Sequence, residues 1–595
     1  MACFSRHGRI KPTLQGCIGV NAVKDKELQS NQRLLANTAI SGTAILLVFL
    51  GIFFISGSFD YNATQPRPTL LIVGFLLVTA VLTFLGLGFA RQVPDSQHKK
   101  LMAIIFGLAV SIRLVALFST PILEIDYYRY IWDGKVVCES VSPYRYSPAQ
   151  VLESRVTVDR DLNRVANLAI RSESNHTILS RIHFENYTTL YPPVSQIVFA
   201  ATMRLTPETA SVEFQVIAMK FAMTLFDLGI MILVWRLLCL AGLHPGWLIA
   251  YAWNPLVIKE IANSGHLDSI AAFFAVLTLY LVVRYKLFPD AALSRWLLIF
   301  SGVTLGLGVG AKLFPVVLFP ALLIATINGN SKFSDRLFAG TVFSFAFAIT
   351  SSLVLFPMFY KPEVSKVDQY GIDTTLLTSP NDEAQNQDGF GGFFSSWRMN
   401  DPIFSTIYFN VKDNTKSSTQ PWFVVTTEQW RSELNAQVRS LGFDREDMAF
   451  SISRMLTLGM FSCFYLWQLT QIYFRQFNNH SDVAQFVRRL TSILALFLIL
   501  QPTVNPWYFV WVAPLICLTD NRGWILASGL LMLYYSRFWF QSLTGTFTIG
   551  GHNFDGVKLF DHCFVFVEFG LIVAVLFFFS NRKYRRKPDR SDIAV

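Results

Sequence analysis

The sequence predicts an all-α fold, a polytopic transmembrane helical bundle. Three observations carry that expectation. Long uncharged windows recur along all 595 residues, 52% of the residues are apolar against 15% charged, and Phe alone contributes 54. A helix needs about 20 apolar residues to cross a hydrocarbon core of about 30 Å, and soluble chains do not repeat such windows from end to end. The net charge of +10 does not point to nucleic acid, because the basic residues fall in short segments between apolar runs, as in loops facing anionic lipid. Seven cysteines lie scattered without CxxC or metal-ligand spacing, so neither a disulfide frame nor a zinc site is implied.

Taken in order, a polar and basic segment, 1–35, precedes the first apolar run. Candidate spans follow at 36–57, 68–90, 101–121, 215–240, 246–262, 266–284, 295–311, 313–328, 335–360, 451–474, 489–503, 506–519, 522–540 and 563–581, about fourteen in all. The stretch 191–206 opens with Pro192-Pro193 and is expected to dip in from the outer face without crossing. That choice gathers Arg91, Lys99, Arg236, Arg284, Lys332, Arg475, Arg488 and Arg489 with the tail 582–595 on one side, which the positive-inside rule makes cytoplasmic. Both termini are then expected inside, and the plasma membrane is the expected location. The chain divides into the cytoplasmic segment 1–35, a transmembrane module 36–360 with outer loop 122–190, an outer loop or lid 361–450, a second transmembrane module 451–581, and the basic tail 582–595. Loop 361–450 is too long for a plain connection, so it reads as a lid or a small external subdomain.

Unusual polar residues concentrate on the expected outer face. The stretch Leu123–Pro148, LEIDYYRYIWDGKVVCESVSPYRYSP, mixes carboxylates with aromatics where a span meets water. Asp126 reads either as a general base that takes a proton from a sugar hydroxyl or as an acid marking the helix end. Glu124 is a second acid, a metal ligand or a rim charge; a divalent cation at Glu124/Asp126 is conceivable, though none is required. Arg129 follows Asp126 by three residues, on the same helical face, where it steadies the carboxylate or meets a phosphate. Tyr130, Trp132 and Tyr144 are candidates for stacking on sugar rings, with an interfacial aromatic belt as the alternative.

A second cluster lies in NPLVIKEIANSGHLD, residues 254–268. Lys259 and His266 are candidates for phosphate, Asp268 for orienting His266, and a salt-bridged helix corner is the plainer reading. Lys312 follows a glycine-rich span and suits a lipid-phosphate headgroup, or else snorkels to the interface. The turn 501–508, QPTVNPWY, exposes backbone carbonyls, which the bilayer tolerates only beside a cavity or water.

The blocks DYYRYIWDGKVV with SPYRYSP, TTLYPPVSQIVF, WNPLVIKEIANSGHLDSIAAFFAVLTLYL, GAKLFPVVLFPALL and NPWYFVWVAPLI occur in that order between residue 101 and about 520. Together they resemble the GT-C superfamily of polyprenyl-phosphate-sugar-dependent integral-membrane glycosyltransferases, above all the bacterial and archaeal mannosyltransferases. The resemblance implies inverting transfer of a hexose, mannose first, to a glycolipid or glycan acceptor outside the cytosol, with Asp126 as base. It implies donor-phosphate contacts at Arg129, Lys259, His266 or Lys312, and sugar or acceptor contacts at Glu124, Tyr130, Trp132, Tyr191, Asp268 and Trp507. Cys138-Glu-Ser-Val-Ser replaces the family's small turn, and the insert 156–187 is longer than the family's, so the acceptor stays open. The rival from another class is a transporter or flippase of a lipid-linked sugar. Against it, no repeat relates the two halves and the polar residues crowd one face.

Overall fold

The computed structural model describes residues 14–154, 159–288, 291–329, 332–360, 387–389, 391–392, 397–413, 421–442, 447–475, 479–549 and 552–581. Residues 1–13, most of the loop 361–396 with its acid and amide run, and the tail 582–595 lie outside them.

The described residues are mostly helical. The first half runs α1 (Leu14–Ser56), α2 (Thr69–Ala90), α3 (His98–Phe118), α4 (Asp126–Cys138), α5 (Pro148–Glu153), α6 (Arg160–Ile170), α7 (Glu173–Ser180), α8 (Pro193–Leu205) and α9 (Val212–Leu240). It continues with α10 (Asp268–Leu287), α11 (Ala291–Ala311), α12 (Phe319–Ile327) and α13 (Phe333–Phe359). Beyond the long loop come α14 (Pro402–Val411), α15 (Glu428–Ser440), α16 (Met448–Tyr473), α17 (His480–Ile499), α18 (Gly523–Leu530) and α19 (Val565–Asn581). Among the described residues the only sheet is the antiparallel hairpin β1 (Phe547–Ile549) and β2 (His552–Phe554).

Among the described residues nine helices are long and apolar enough to cross a bilayer: α1, α2, α3, α9, α10, α11, α13, α16 and α19. Four of the remaining expected spans are broken by proline or built from short turns. Segment 246–262 is a chain of short 3-10, α and π turns interrupted at Pro255. Pro315 and Pro320 divide 313–328, and Pro506 and Pro514 divide 506–519, because each removes a backbone donor from the ladder. Segment 522–540 passes from α18 through a 3-10 turn to a last short helix. The fifth, 489–503, coincides with the second half of α17, whose first half carries charge. At 13 residues, α8 is about 20 Å long and too short to span alone.

Two close approaches fix the frame around segment 122–190 and the glycine-rich α11. A Cβ at Gly134 would sit 2.6 Å from the Phe199 carbonyl oxygen, so α4 and α8 pack backbone against backbone. A Cβ at Gly302 would lie 2.5 Å from the Phe343 carbonyl oxygen, and the glycine face of α11 accordingly lies flush on α13. Deep in the bundle, the Arg113 guanidinium pairs with Asp227 and donates to the Ala252 carbonyl at 2.7 Å, while the Tyr251 hydroxyl donates to Asp227 at 2.6 Å. This network joins α3, α9 and segment 246–262 where lipid leaves no water to satisfy polar groups.

Within 361–450, α14 packs on the start of α16 through a small apolar core of its own, Phe404, Tyr408, Val411, Ala449 and Phe450. Backbone bonds tie Met399 to the turn at 502–504 (Met399 N–H to the Pro502 oxygen 2.9 Å, Val504 N–H to the Met399 oxygen 2.8 Å).

Candidate active site

A cavity of about 480 Å³ opens between α4, α8, the start of α10, the end of α11, α16 and the 501–511 turn. Asp126, Tyr130, Tyr191, Asp268, Lys312 and Trp507, six residues singled out from the sequence, all line it. Val316, Val317, Leu458, Phe461 and Phe497 add an apolar lining.

Asp126 reaches this cavity through a constrained approach. The chain leaving α3 is held by Asn263, whose amide donates to Ser119 Oγ (2.7 Å) and the Thr120 carbonyl (2.9 Å) and whose oxygen accepts from the Ile122 N–H (3.0 Å). Leu123 then takes the left-handed conformation, φ +58°. That conformation costs a residue with a Cβ roughly 1–2 kcal/mol and persists only where the surroundings impose it. The reversal delivers Asp126 as the first residue of α4, where the helix N-terminus favours a carboxylate. The Tyr191 hydroxyl donates to Asp126 Oδ2 at 3.4 Å. Burial raises the Asp126 pKa, opposed by the charges of Lys312 and His183 and by the Tyr191 bond.

Lys312 directly follows α11, where the Leu313–Pro315 turn stops the helix and the Ala311 carbonyl accepts from Ser195 Oγ of α8 at 2.8 Å. Its ammonium donates to Asp268 Oδ1 at 2.7 Å and lies 4.4 Å from the Tyr508 ring centroid. The same Asp268 oxygen accepts from Trp511 Nε1 at 2.6 Å. One ammonium donor goes to Asp268, leaving two for a ligand. Tyr130, one helical turn after Asp126, stacks on Phe199 at 4.7 Å and meets Tyr191 edge-on at 5.0 Å.

A second, closed cluster lies behind this wall. His266 stacks on Trp507 with centroids 4.4 Å apart and planes 13° from parallel. Its Nε2 lies 3.4 Å from Glu260 and 3.9 Å from Glu124, and neither ring nitrogen makes a hydrogen bond. Lys259 sits 3.3 Å from Glu260 and 3.7 Å from the Tyr535 ring centroid, and Tyr535 donates to Glu260 at 2.7 Å. Burial, reinforced by Lys259 and Lys312, holds the His266 pKa well below its ordinary value. Burial likewise keeps Glu124 well above the carboxylate range, opposed by Lys259.

Several expected contacts are therefore placed elsewhere. His266 stacks on Trp507 and does not line the cavity, and Lys259 is enclosed by Glu260 and Tyr535. Asp268 orients Lys312 instead of His266. Arg129 turns away to Asp133 (3.0 Å) and the Tyr187 carbonyl (2.9 Å), since the buried Asp133 is one turn further along α4. Trp132 is buried and absent from the cavity wall, because residue 132 falls on the opposite face of α4 from Asp126 and Tyr130. Glu124 faces His266 while Asp126 faces Tyr191, and among the described residues no group of three or more His, Cys, Asp or Glu is placed to hold a metal ion.

Asn505 and Tyr508 of the 501–508 turn line the cavity too, as that turn's broken backbone suggested, and two further lining residues, Arg454 and Trp397, were not among the candidates from the sequence. Arg454 carried a usable signal, an arginine in the opening turns of an apolar span. Trp397 carried none, because only folding brings the long loop to the turn at 502–504.

A family model described as Alpha-(1->6)-mannopyranosyltransferase, N-terminal domain, matches residues 62–328, and one described as MptB C-terminal domain matches residues 435–546. The first match holds Asp126, Tyr130, Tyr191, Asp268 and Lys312; the second holds Arg454 and Trp507. No curated protein and no solved structure matches the chain.

Proposed function

The chain belongs to the alpha-(1->6)-mannopyranosyltransferase family and is an integral-membrane mannosyltransferase of the GT-C type, and from that premise we propose that its cavity transfers mannose from a polyprenyl-phosphate donor to a hydroxyl of a glycolipid or glycan acceptor on the extracytoplasmic side. The observation that carries this reading is the composition of one cavity, which is lined by a carboxylate, Asp126, an ammonium, Lys312, and many apolar side chains. A charged headgroup on a long hydrocarbon requires that combination.

In the proposed reaction Asp126 accepts the proton of the acceptor hydroxyl as its oxygen bonds to the anomeric carbon. The bond from that carbon to the phosphate oxygen breaks, and polyprenyl phosphate departs with the electron pair. Attack opposite the leaving group inverts the anomeric centre. Lys312, joined by Arg454, meets the negative charge that grows on the phosphate, which is where electrostatic stabilisation accelerates such a step. Trp507, Tyr130 and Tyr191 offer ring faces and hydroxyls to the sugar. The segment at Trp397 covers the cavity as a lid.

The test is a donor comparison with purified protein in nanodiscs. Transfer from β-mannosyl polyprenyl phosphate, giving an α-linked product and free polyprenyl phosphate, is expected, with none from a nucleotide sugar. Turnover of the nucleotide sugar alone sinks the donor assignment.

A further inference from the structure

At the far end of α16 lies a second, basic recess. A cavity of about 340 Å³ is lined by Asn328, Arg475, Asp482, Gln485 and Arg489, and an adjoining one of about 260 Å³ adds Arg488. Arg475 donates to the Gln485 amide oxygen, and Arg489 donates to that of Gln468 at 2.9 Å. Both partners are neutral, and among the described residues none of the three arginines makes an ion pair. The carboxylate in the recess, Asp482, is engaged in the capping box of α17, where it accepts from the Asn479 N–H at 3.0 Å.

The recess continues into an apolar groove. Asn328, whose amide donates to the Ile472 and Tyr473 carbonyls (3.1 Å each), lines both the recess and a cavity of about 950 Å³ between α12 and α13. Leu323, Ile327, Leu337, Phe345 and Phe474 line that groove, which follows α13 from Phe333 to Ala348, about 20 Å of helix. Arg475 stands 21 residues beyond the catalytic-cavity residue Arg454, about 30 Å along α16, so the two sites lie on opposite faces of the bilayer.

We propose that this recess binds an anionic phospholipid, with the headgroup phosphate on Arg475, Arg488 and Arg489 and acyl chain in the groove between α12 and α13. Arginine forks match phosphate oxygens, and basic pockets between spans near the cytoplasmic leaflet recognise anionic headgroups. The groove favours a lipid over a soluble anion, because a free phosphate has no use for an apolar channel that starts beside it.

Full-length protein in neutral detergent is titrated with phosphatidylglycerol, phosphatidylcholine and inorganic phosphate, with binding read by native mass spectrometry and thermal shift. Phosphatidylglycerol is expected to bind at least tenfold tighter than phosphatidylcholine. The Arg475→Gln/Arg489→Gln variant loses that preference, and Thr341→Trp, which fills the groove from a lipid-facing position, weakens the lipid without affecting phosphate. Each variant is checked for monodispersity and for mannosyl transfer, which neither alters more than twofold. Equal phosphatidylglycerol binding by wild type and both variants overturns the proposal. So does inorganic phosphate that binds as tightly as the lipid, which makes the recess a free-anion site.

Discussion

The Lys312 ammonium is anchored to Asp268 at 2.7 Å, and the same carboxylate oxygen is held by Trp511 at 2.6 Å. This cation in the cavity lining is thus oriented before any ligand arrives, by a partner from the first turn of α10. Such preorganisation makes the pair act as a unit. Lys312→Ala is expected to lower mannosyl transfer by about 10²-fold, the scale of losing one preorganised charge contact. Asp268→Asn, which frees Lys312 to wander, is expected to cost less. The double variant then loses less than the product of the two single effects, and a multiplicative result would show that the residues act independently.

Among the described residues Asp126 makes a single long side-chain bond, with Tyr191, so its removal tests chemistry more than folding. Asp126→Asn is expected to lower kcat by roughly 10²–10⁴, the range for losing a general base, with the donor KM little changed. Unchanged kcat in a monodisperse variant removes Asp126 from the reaction.

The same carboxylate sets a pH dependence whose sign follows from its surroundings. A base works only when ionised, and burial raises the Asp126 pKa while Lys312 and His183 pull it back. The profile of kcat/KM should therefore fall with decreasing pH along an acid limb above the ordinary Asp value of about 3.9. Lys312→Gln removes a lowering charge and moves that limb to higher pH; Lys312→Arg leaves it near the wild-type position. A limb that stays put in Lys312→Gln means that the two groups do not sense each other.

Gly134 tests how tightly the site depends on its frame. A Cβ there would meet the Phe199 carbonyl oxygen at 2.6 Å, so Gly134→Ala must push α4 from α8. Asp126 and Tyr130 ride on α4, Tyr191 immediately precedes α8, and a displacement of about 1 Å at a reacting group costs up to about 10²-fold. Activity is expected to drop at least tenfold while the protein remains folded in detergent; full activity would show that the site adapts.

Asp227 tests the buried network of the bundle. Replacing it by Leu leaves Arg113, which is 1% exposed, without its counter-ion, a loss of roughly 3–5 kcal/mol. The double variant Arg113→Met/Asp227→Leu should recover much of it, as measured by unfolding in a denaturing detergent series.

Outside the spans, Asp401 precedes α14 and accepts from the Ser405 hydroxyl at 3.0 Å through one oxygen, while the other is buried with no partner among the described residues, and burial pushes its pKa up to about 7. The unfolded chain releases this proton near pH 3.9 and the folded chain near 7, so stability falls as pH rises through that window. Asp401→Asn should flatten that part of the curve, and a slope that persists assigns it to other groups.

Hydropathy by itself determined the membrane bundle, because burial in lipid demands long uncharged runs whatever their neighbours are, but it counted about fourteen spans where nine helices among the described residues are long and apolar enough to cross; the family was legible in the ordered motif blocks instead. Asp126, Tyr130, Tyr191, Asp268, Lys312 and Trp507 were legible as well, since polar and aromatic residues at span junctions are unusual enough to stand out one at a time. Tertiary structure alone decided what each of them meets. Spacing put Arg129 on the face of Asp126, yet a flexible guanidinium follows its nearest buried carboxylate, and Asp133 claims it. His266 and Lys259 read as cations, yet packing encloses both and leaves Lys312 and Arg454 beside the cavity. Broken segments made the rest illegible, some at prolines and one, 522–540, without any: a segment of spanning length and composition is indistinguishable from a string of short turns until its neighbours show where the backbone bends.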